Sequence, residues 1–240
     1  MTITSTDNKY IKEIKKLQTK KYRDFNNKFL VEGDHLVNEA YKKGVLEEII
    51  CLEEYKCNID IKKTLVSKNV INNLSSLENS IVIGVCKKKN DNFTGNKILV
   101  LDNIQDPGNL GTIIRSSVAF NVDTLLISKD SVDLYNPKVL RATQGMIFSL
   151  NIIVCDIYNI IKELKMKNYK IIGTDVNNGI SVNSLEKNDK LCIIMGNEGN
   201  GISREIHDLC DKFIYIKMND LCESLNVGVA TSIILYELDK

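Results

Sequence analysis

Residues 98–120 read ILVLDNIQDPGNLGTIIRSSVAF. The unbroken aliphatic run Ile98 to Leu101 fits a strand buried on both faces, because a half-exposed strand would alternate apolar with polar. Pro107 and Gly108 turn the chain, Asn109 is placed to cap a helix, and Leu110, Ile113, Ile114 and Val118 recur at the spacing of one helix face. A buried strand followed by a turn and an amphipathic helix is the repeating unit of a parallel α/β sheet.

The same texture recurs downstream at Thr124 to Ile127, Ile152 to Val154, Lys170 to Ile172, Leu191 to Met195 and Phe213 to Ile216. Between them lie helical patterns such as Ile157, Ile160, Ile161 and Leu164. The expected fold is therefore α/β, with a parallel sheet covered on both faces. Ligands of such sheets bind beyond the carboxyl ends of the strands, so the loops after these runs are where chemistry is sought. Upstream, KKKNDNFTGNK at Lys87 to Lys97 is polar and contains Gly95, which suits a linker. Before it, a helix at Lys9 to Leu17, a strand at Phe29 to Val31, a helix at Asp34 to Lys43 and strands at Leu46 to Leu52 and Ile81 to Cys86 make a small α/β module. The predicted division is residues 1–92 and residues 97–240.

With 240 residues, 43% hydrophobic and 26% charged, the chain has material for a sizeable core and lies far from disordered compositions. Its longest apolar runs are too short to span a bilayer, and no apolar stretch follows the first charges, so a cytoplasmic protein without a membrane anchor is expected. The seven cysteines, Cys51, Cys57, Cys86, Cys155, Cys192, Cys210 and Cys222, are odd in number and scattered. With only His35 and His207 beside them, no metal spacing arises, and no metal site is expected. Two histidines and no G-x-S-x-G leave little for a Ser–His–Asp hydrolase. The net charge of +1 hides a basic start: Lys9, Lys12, Lys15, Lys16, Lys20, Lys21, Arg23 and Lys28 face only Asp7, Glu13 and Asp24. That segment reads either as a polyanion-binding surface or as a solvated helix face.

Three polar loops carry the chemical interest. In the first, Arg115 falls off the buried stripe of its helix, and a guanidinium near a helix start is suited to grip a phosphate. The second, GNEGNGIS at Gly196 to Ser203, directly follows the run LCIIM. Its glycines let the backbone approach a ligand or take up positive φ, and Glu198 is its charged side chain. It is neither a dinucleotide nor a P-loop fingerprint. The third passes from IYIKM into NDLCESLNVGVATSIILYEL, with Ser224 or Asn226 near the start of a last helix that is apolar over much of its girth. Such a helix has to be buried, in its own domain or against another subunit. Gly228 would cost up to about 1 kcal/mol there unless close packing requires it.

The stretches DPGNLGTIIR (Asp106 to Arg115), MGNEGNGI (Met195 to Ile202) and ESLNVGVA (Glu223 to Ala230) match, in order and spacing, the three signature motifs of the SpoU (TrmH-like) branch of SPOUT RNA 2′-O-ribose methyltransferases. The intervening VDLYNPKVLRATQGMIFSL also resembles that family. The N-terminal STDNKYIKEIKKLQTKKYRDFNNKFLVEGDHLVNEA resembles the L30e-like substrate-binding domain that precedes the catalytic domain in many members acting on ribosomal RNA.

The resemblance implies a C-terminal domain with a trefoil knot, an exception to the rule against knotted chains, and a homodimer formed through that domain. It implies S-adenosylmethionine as cofactor, held near Thr174, Gly196, Ile216, Met218 and Leu225, and RNA, above all ribosomal RNA, as substrate. Arg115 is the central catalytic residue by the same likeness. Since a guanidinium keeps its proton, Arg115 is expected to hold the phosphate beside the target ribose while Asn109, Glu198, Ser224 and Asn226 orient substrate and neighbours. One departure is Gly228, where the family usually has Ser. A transfer RNA substrate and an inactive RNA-binding scaffold are the alternative functions.

Overall fold

The computed structural model describes every residue except Met1, Asn177 and Lys187. The chain forms two compact units. The first comprises Met1–Asn90 together with Asp133–Ser149, and the second Asp91–Val132 together with Leu150–Lys240. The sequence-based division placed residues 133–149 with the C-terminal part, whereas their contacts lie in the first unit.

The first unit runs α1 (Lys9–Lys16), α2 (Lys20–Asn26), β1 (Lys28–Glu32), α3 (Asp34–Lys42), β2 (Leu46–Cys51), β3 (Lys62–Leu65), α4 (Lys68–Leu74) and β4 (Val82–Lys87). Helix α1 starts where the Asn8 side chain accepts from the Tyr10 N–H, and its Ile11 and Ile14 enter a core with Leu17, Ile50, Ile71, Leu74 and Ile83. Asn27, at φ 54, ends α2 in the left-handed conformation that asparagine tolerates. The strands order as β1-β4-β2-β3. Strand β4 is antiparallel to both neighbours, and β3 is parallel to β2.

Residues 133–149, which include helix α6 (Pro137–Ala142), are bound to this unit by specific groups. The buried guanidinium of Arg23 pairs with Asp133 and donates to the carbonyls of Leu17 and Gln18. The Phe29 ring packs on Tyr135 at 4.5 Å and Phe148 at 6.4 Å between centroids. Arg141 donates to Ser76 Oγ at 2.9 Å and lies 3.7 Å from the buried Glu32 carboxylate. Breaking a buried, hydrogen-bonded charge of this kind is costly, so the segment is held by more than apolar contact.

The second unit contains β5 (Lys97–Leu101), α5 (Pro107–Ala119), β6 (Thr124–Ser128), β7 (Asn151–Cys155), α7 (Ile157–Met166), β8 (Lys170–Thr174), β9 (Ile180–Ser181), β10 (Leu191–Met195), α8 (Arg204–His207), β11 (Lys212–Tyr215) and α9 (Val227–Asp239). Its strands order as β7-β6-β5-β10-β8-β11-β9, and every pairing is parallel. The six apolar runs all become strands, and two-residue β9 adds an edge. From β5 the chain builds outward through β6 and β7, then crosses to lay down β8 and β9 on the other side, after which β10 fills the place between β5 and β8 and β11 the place between β8 and β9. The sheet order thus reverses between β5 and β10, and the loops that leave these two strands emerge side by side.

Candidate active site

Helix α5 begins three residues earlier than its sequence suggested, at Pro107 rather than after Asn109. Pro107 occupies the first helical position, where its fixed φ and missing N–H do no harm. Asp106 is therefore the cap, and its carboxylate accepts from the Asn109 N–H at 2.8 Å. The expectation that Asn109 caps the helix is corrected, and the correction matters because it frees the Asn109 side chain to reach other loops.

Its amide nitrogen donates to Glu198 Oε1 at 3.0 Å, and its amide oxygen accepts from Asn226 Nδ2 at 2.7 Å. Asn226 Oδ1 in turn caps α9 by accepting from the N–H groups of Gly228 and Val229. This chain fixes both amide orientations without ambiguity. Because the Asn226 oxygen faces N–H donors, its nitrogen must point at Asn109, whose nitrogen must then point at the carboxylate. Glu198 also accepts from the backbone N–H groups of Gln105 and Asp106, just ahead of α5, where the helix dipole favours a negative charge. Burial pushes the Glu198 carboxyl up, but the donations from Asn109, Asp106 and Gln105 outweigh it and leave the group below the ordinary carboxylate range. One hydrogen-bonded relay thus ties the start of α5 to two loops that lie 89 and 117 positions further along the chain.

Beside the relay is a hollow of ≈ 480 Å³, ordinary for a small-molecule site. Of the ten residues singled out from sequence, Thr174, Glu198, Ile216, Met218, Ser224 and Leu225 line it. Thr174, at the end of β8, is held by donating to the Ile194 carbonyl at 3.0 Å. Gly196 lies between the lining residues Met195 and Asn197 but is a glycine for another reason. A Cβ there would meet the backbone of Gly201 and Ile202 at 2.2–2.3 Å, so the turn after β10 folds directly onto it. Asn197 secures that turn, accepting from the N–H groups of Gly199 and Asn200 and donating to the Asn103 carbonyl.

Asn109, Asn226 and Arg115 do not line the hollow. Arg115 is exposed on α5, and its guanidinium has no hydrogen-bond or ion-pair partner among the described residues. The Ser224 hydroxyl, exposed at the hollow, is likewise without a partner among them. Sequence reasoning missed Asp175, Val176, Ile214, Val227 and Ile234 as lining residues. The neighbours of Thr174 and Leu225 were the signal for several of them. His207 also borders the hollow and stacks on Phe213 at 4.2 Å.

The α9 glycine has a packing reason. A Cβ on Gly228 would sit 3.2 Å from Thr112 of α5 and from Asn226 Oδ1, and Ser116 meets Ser232 at 2.6 Å on the same contact. The two helices approach closely enough that a side chain there would press on its neighbours. The seven cysteines are free. Burial raises the thiols of Cys155 to about 11 and of Cys210 to about 12, which suits unreactive packing groups.

A model of the SpoU rRNA Methylase family matches residues 96–236. The chain belongs to the SpoU rRNA Methylase family. A model of the MRM3-like substrate binding domain matches residues 8–83, so SpoU methylase and substrate-binding signatures follow one another along the chain. One relative is the 23S rRNA (guanosine(2553)-2′-O)-methyltransferase RlmP of Bacillus subtilis, 33% identical over 98% of this chain and 98% of its own. Among solved structures, the AdoMet-bound rRNA methyltransferase from Sinorhizobium meliloti superposes with a TM-score of 0.87 at 25% identity, covering 99% of this chain and 97% of the other. The SpoU methyltransferase AviRb from Streptomyces viridochromogenes, in complex with AdoMet, has a TM-score of 0.88 at 21% identity and 97% coverage of both chains. This last likeness establishes the shared SpoU fold.

Proposed function

We propose that this chain transfers a methyl group from S-adenosylmethionine to a ribose 2′-hydroxyl of ribosomal RNA. The observation that carries the reading is the relay joining Glu198, Asn109 and Asn226 beside a hollow of ligand size, in a chain of this family. The hollow fits the cofactor chemically. Ile214, Ile216, Leu225 and Val227 offer apolar wall for a flat base, while Thr174 and Asp175 offer polar groups for a ribose and an amino-acid tail. When bound, S-adenosylmethionine supplies an electrophilic methyl carbon on a positively charged sulfur.

The protein's own contribution is positioning. Glu198, Asn109 and Asn226 have their polar atoms spent on one another and on backbone, so they hold the three loops in register. Arg115 and Ser224, which have unspent donors, face the RNA: the guanidinium grips the phosphate next to the target ribose, and the hydroxyl orients the sugar. Arg115 does not take the hydroxyl proton, because a guanidinium keeps its own.

The remaining finer points belong to the same proposal. The trefoil knot of the fold is one. Action in the cytoplasm is another, and no described helix is long and apolar enough to cross a membrane. A homodimer formed through the second unit is a third, because α9 leaves Val229 and Tyr236 46% and 50% exposed seven residues apart, on one helix face. Light scattering on the purified protein checks the dimer. The activity test incubates the protein with labelled S-adenosylmethionine and unmodified ribosomal and transfer RNA, then maps the label. A label on one ribose supports the reading, whereas label on a base, on transfer RNA alone, or nowhere overturns it.

A further inference from the structure

The first unit carries a large aromatic side chain that its own folding does not use. Phe25, on α2, is 85% exposed, while the core below is closed by Ile11, Ile14 and Leu17. At four and three positions before it stand Lys21 and Tyr22, so the three share one helix face. The Tyr22 ring has two ammonium groups near it, Lys16 at 5.4 Å and Lys21 at 6.0 Å. The nearby acids are already neutralised: Asp7 pairs with Lys12, Glu13 with Lys16, and Asp24 with Lys88. Lys20 and Lys21 are exposed and have no carboxylate partner among the described residues.

An exposed ring on a short helix that also carries the unpaired ammonium groups of Lys20 and Lys21 suits a nucleobase that stacks while its phosphates are neutralised. A continuous duplex keeps its base faces inside the stack and has none to offer. A second copy of the chain is disfavoured, since a two-fold contact would set these lysines against themselves. We propose that α2 takes an unpaired nucleotide of the RNA substrate, with its base stacked on Phe25 and the flanking phosphates held by Lys20 and Lys21. The inference rests on the RNA methyltransferase reading and adds the form of RNA that this unit selects, a loop, bulge or single strand.

The test measures binding of the full-length protein to a single-stranded oligoribonucleotide and to a perfectly paired RNA duplex of equal length. Phe25→Ala and Phe25→Leu are expected to weaken single-strand binding about tenfold, and Phe25→Tyr to keep it. Duplex binding and calorimetric S-adenosylmethionine binding stay at the wild-type level in all three. Wild-type affinity in Phe25→Leu overturns the proposal, because it makes the contact merely apolar. Equal losses on duplex and single strand overturn it too, as does a changed oligomeric state with unchanged RNA affinity. If the unaltered protein methylates RNA and the variants bind as it does, the platform alone is wrong. If the unaltered protein neither binds nor methylates RNA, the underlying reading falls with it.

Discussion

The relay and the Arg115 guanidinium come from the same signature stretch yet sit in opposite physical situations. Asn109 is buried, and its amide is engaged at both ends. Arg115, six residues further along α5, is exposed and unpartnered among the described residues. A polar group whose hydrogen bonds are all made within the fold has nothing left for a substrate, whereas an unpaired guanidinium in water is available at little desolvation cost. Under the proposed function, the contrast separates residues that build the site from residues that act in it.

The sharpest way to break this contrast is Arg115→Ala. Methyl transfer should fall by about 10²–10³-fold, the range for loss of one charge-stabilising donor, with an unchanged melting temperature and S-adenosylmethionine affinity. Substantial turnover in that variant would remove Arg115 from the acting class. Asn109→Ala should behave differently, lowering stability by about 1–3 kcal/mol because the Asn226 nitrogen loses its partner and Glu198 Oε1 loses one of its donors. Its denaturation midpoint and its activity should drop together; a full-stability variant would mean that the relay is ornamental. Ser224→Ala is predicted to leave stability alone and to slow turnover several-fold, as loss of about 1 kcal/mol of neutral hydrogen bonding implies.

The smallest effect is the pH response of Glu198. Its folded-state carboxyl lies below the ordinary value, so its contribution to stability is present above the unfolded value and is lost as pH falls through the folded one. Wild-type melting temperature should decline more steeply than that of Glu198→Gln as pH drops below the ordinary carboxylate range. Parallel curves would show that the carboxylate's charge does not matter to the relay.

The central sheet was legible because strands buried on both faces must be aliphatic along their whole length, as Ile98 to Leu101 and Leu191 to Met195 are. Elements without that demand escaped notice. Helix α2, KKYRDFN, buries only Arg23, and β3, KKTL, has no buried residue, so neither shows an apolar period. The lining residues Thr174, Ile216, Met218 and Leu225 were legible through the family's motifs. What the motifs hid was the difference in hydrogen bonding between Asn109 and Arg115, because hydrogen-bond saturation is a property of the folded loops and leaves no mark on residue type. The attachment of residues 133–149 to the first unit was hidden for a similar reason, since a salt bridge between Arg23 and Asp133 spans 110 positions.

That attachment also bears on how the protein is made. The substrate-binding unit includes Asp133–Ser149, so it cannot finish folding when its first ninety residues leave the ribosome. Phe29 has to wait for Tyr135 and Phe148, and by the time they emerge, strands β5 and β6 of the other unit have already been synthesised. The usual order, in which an N-terminal domain folds to completion before the next begins, is therefore closed to this chain, and the two units must mature in an interleaved sequence.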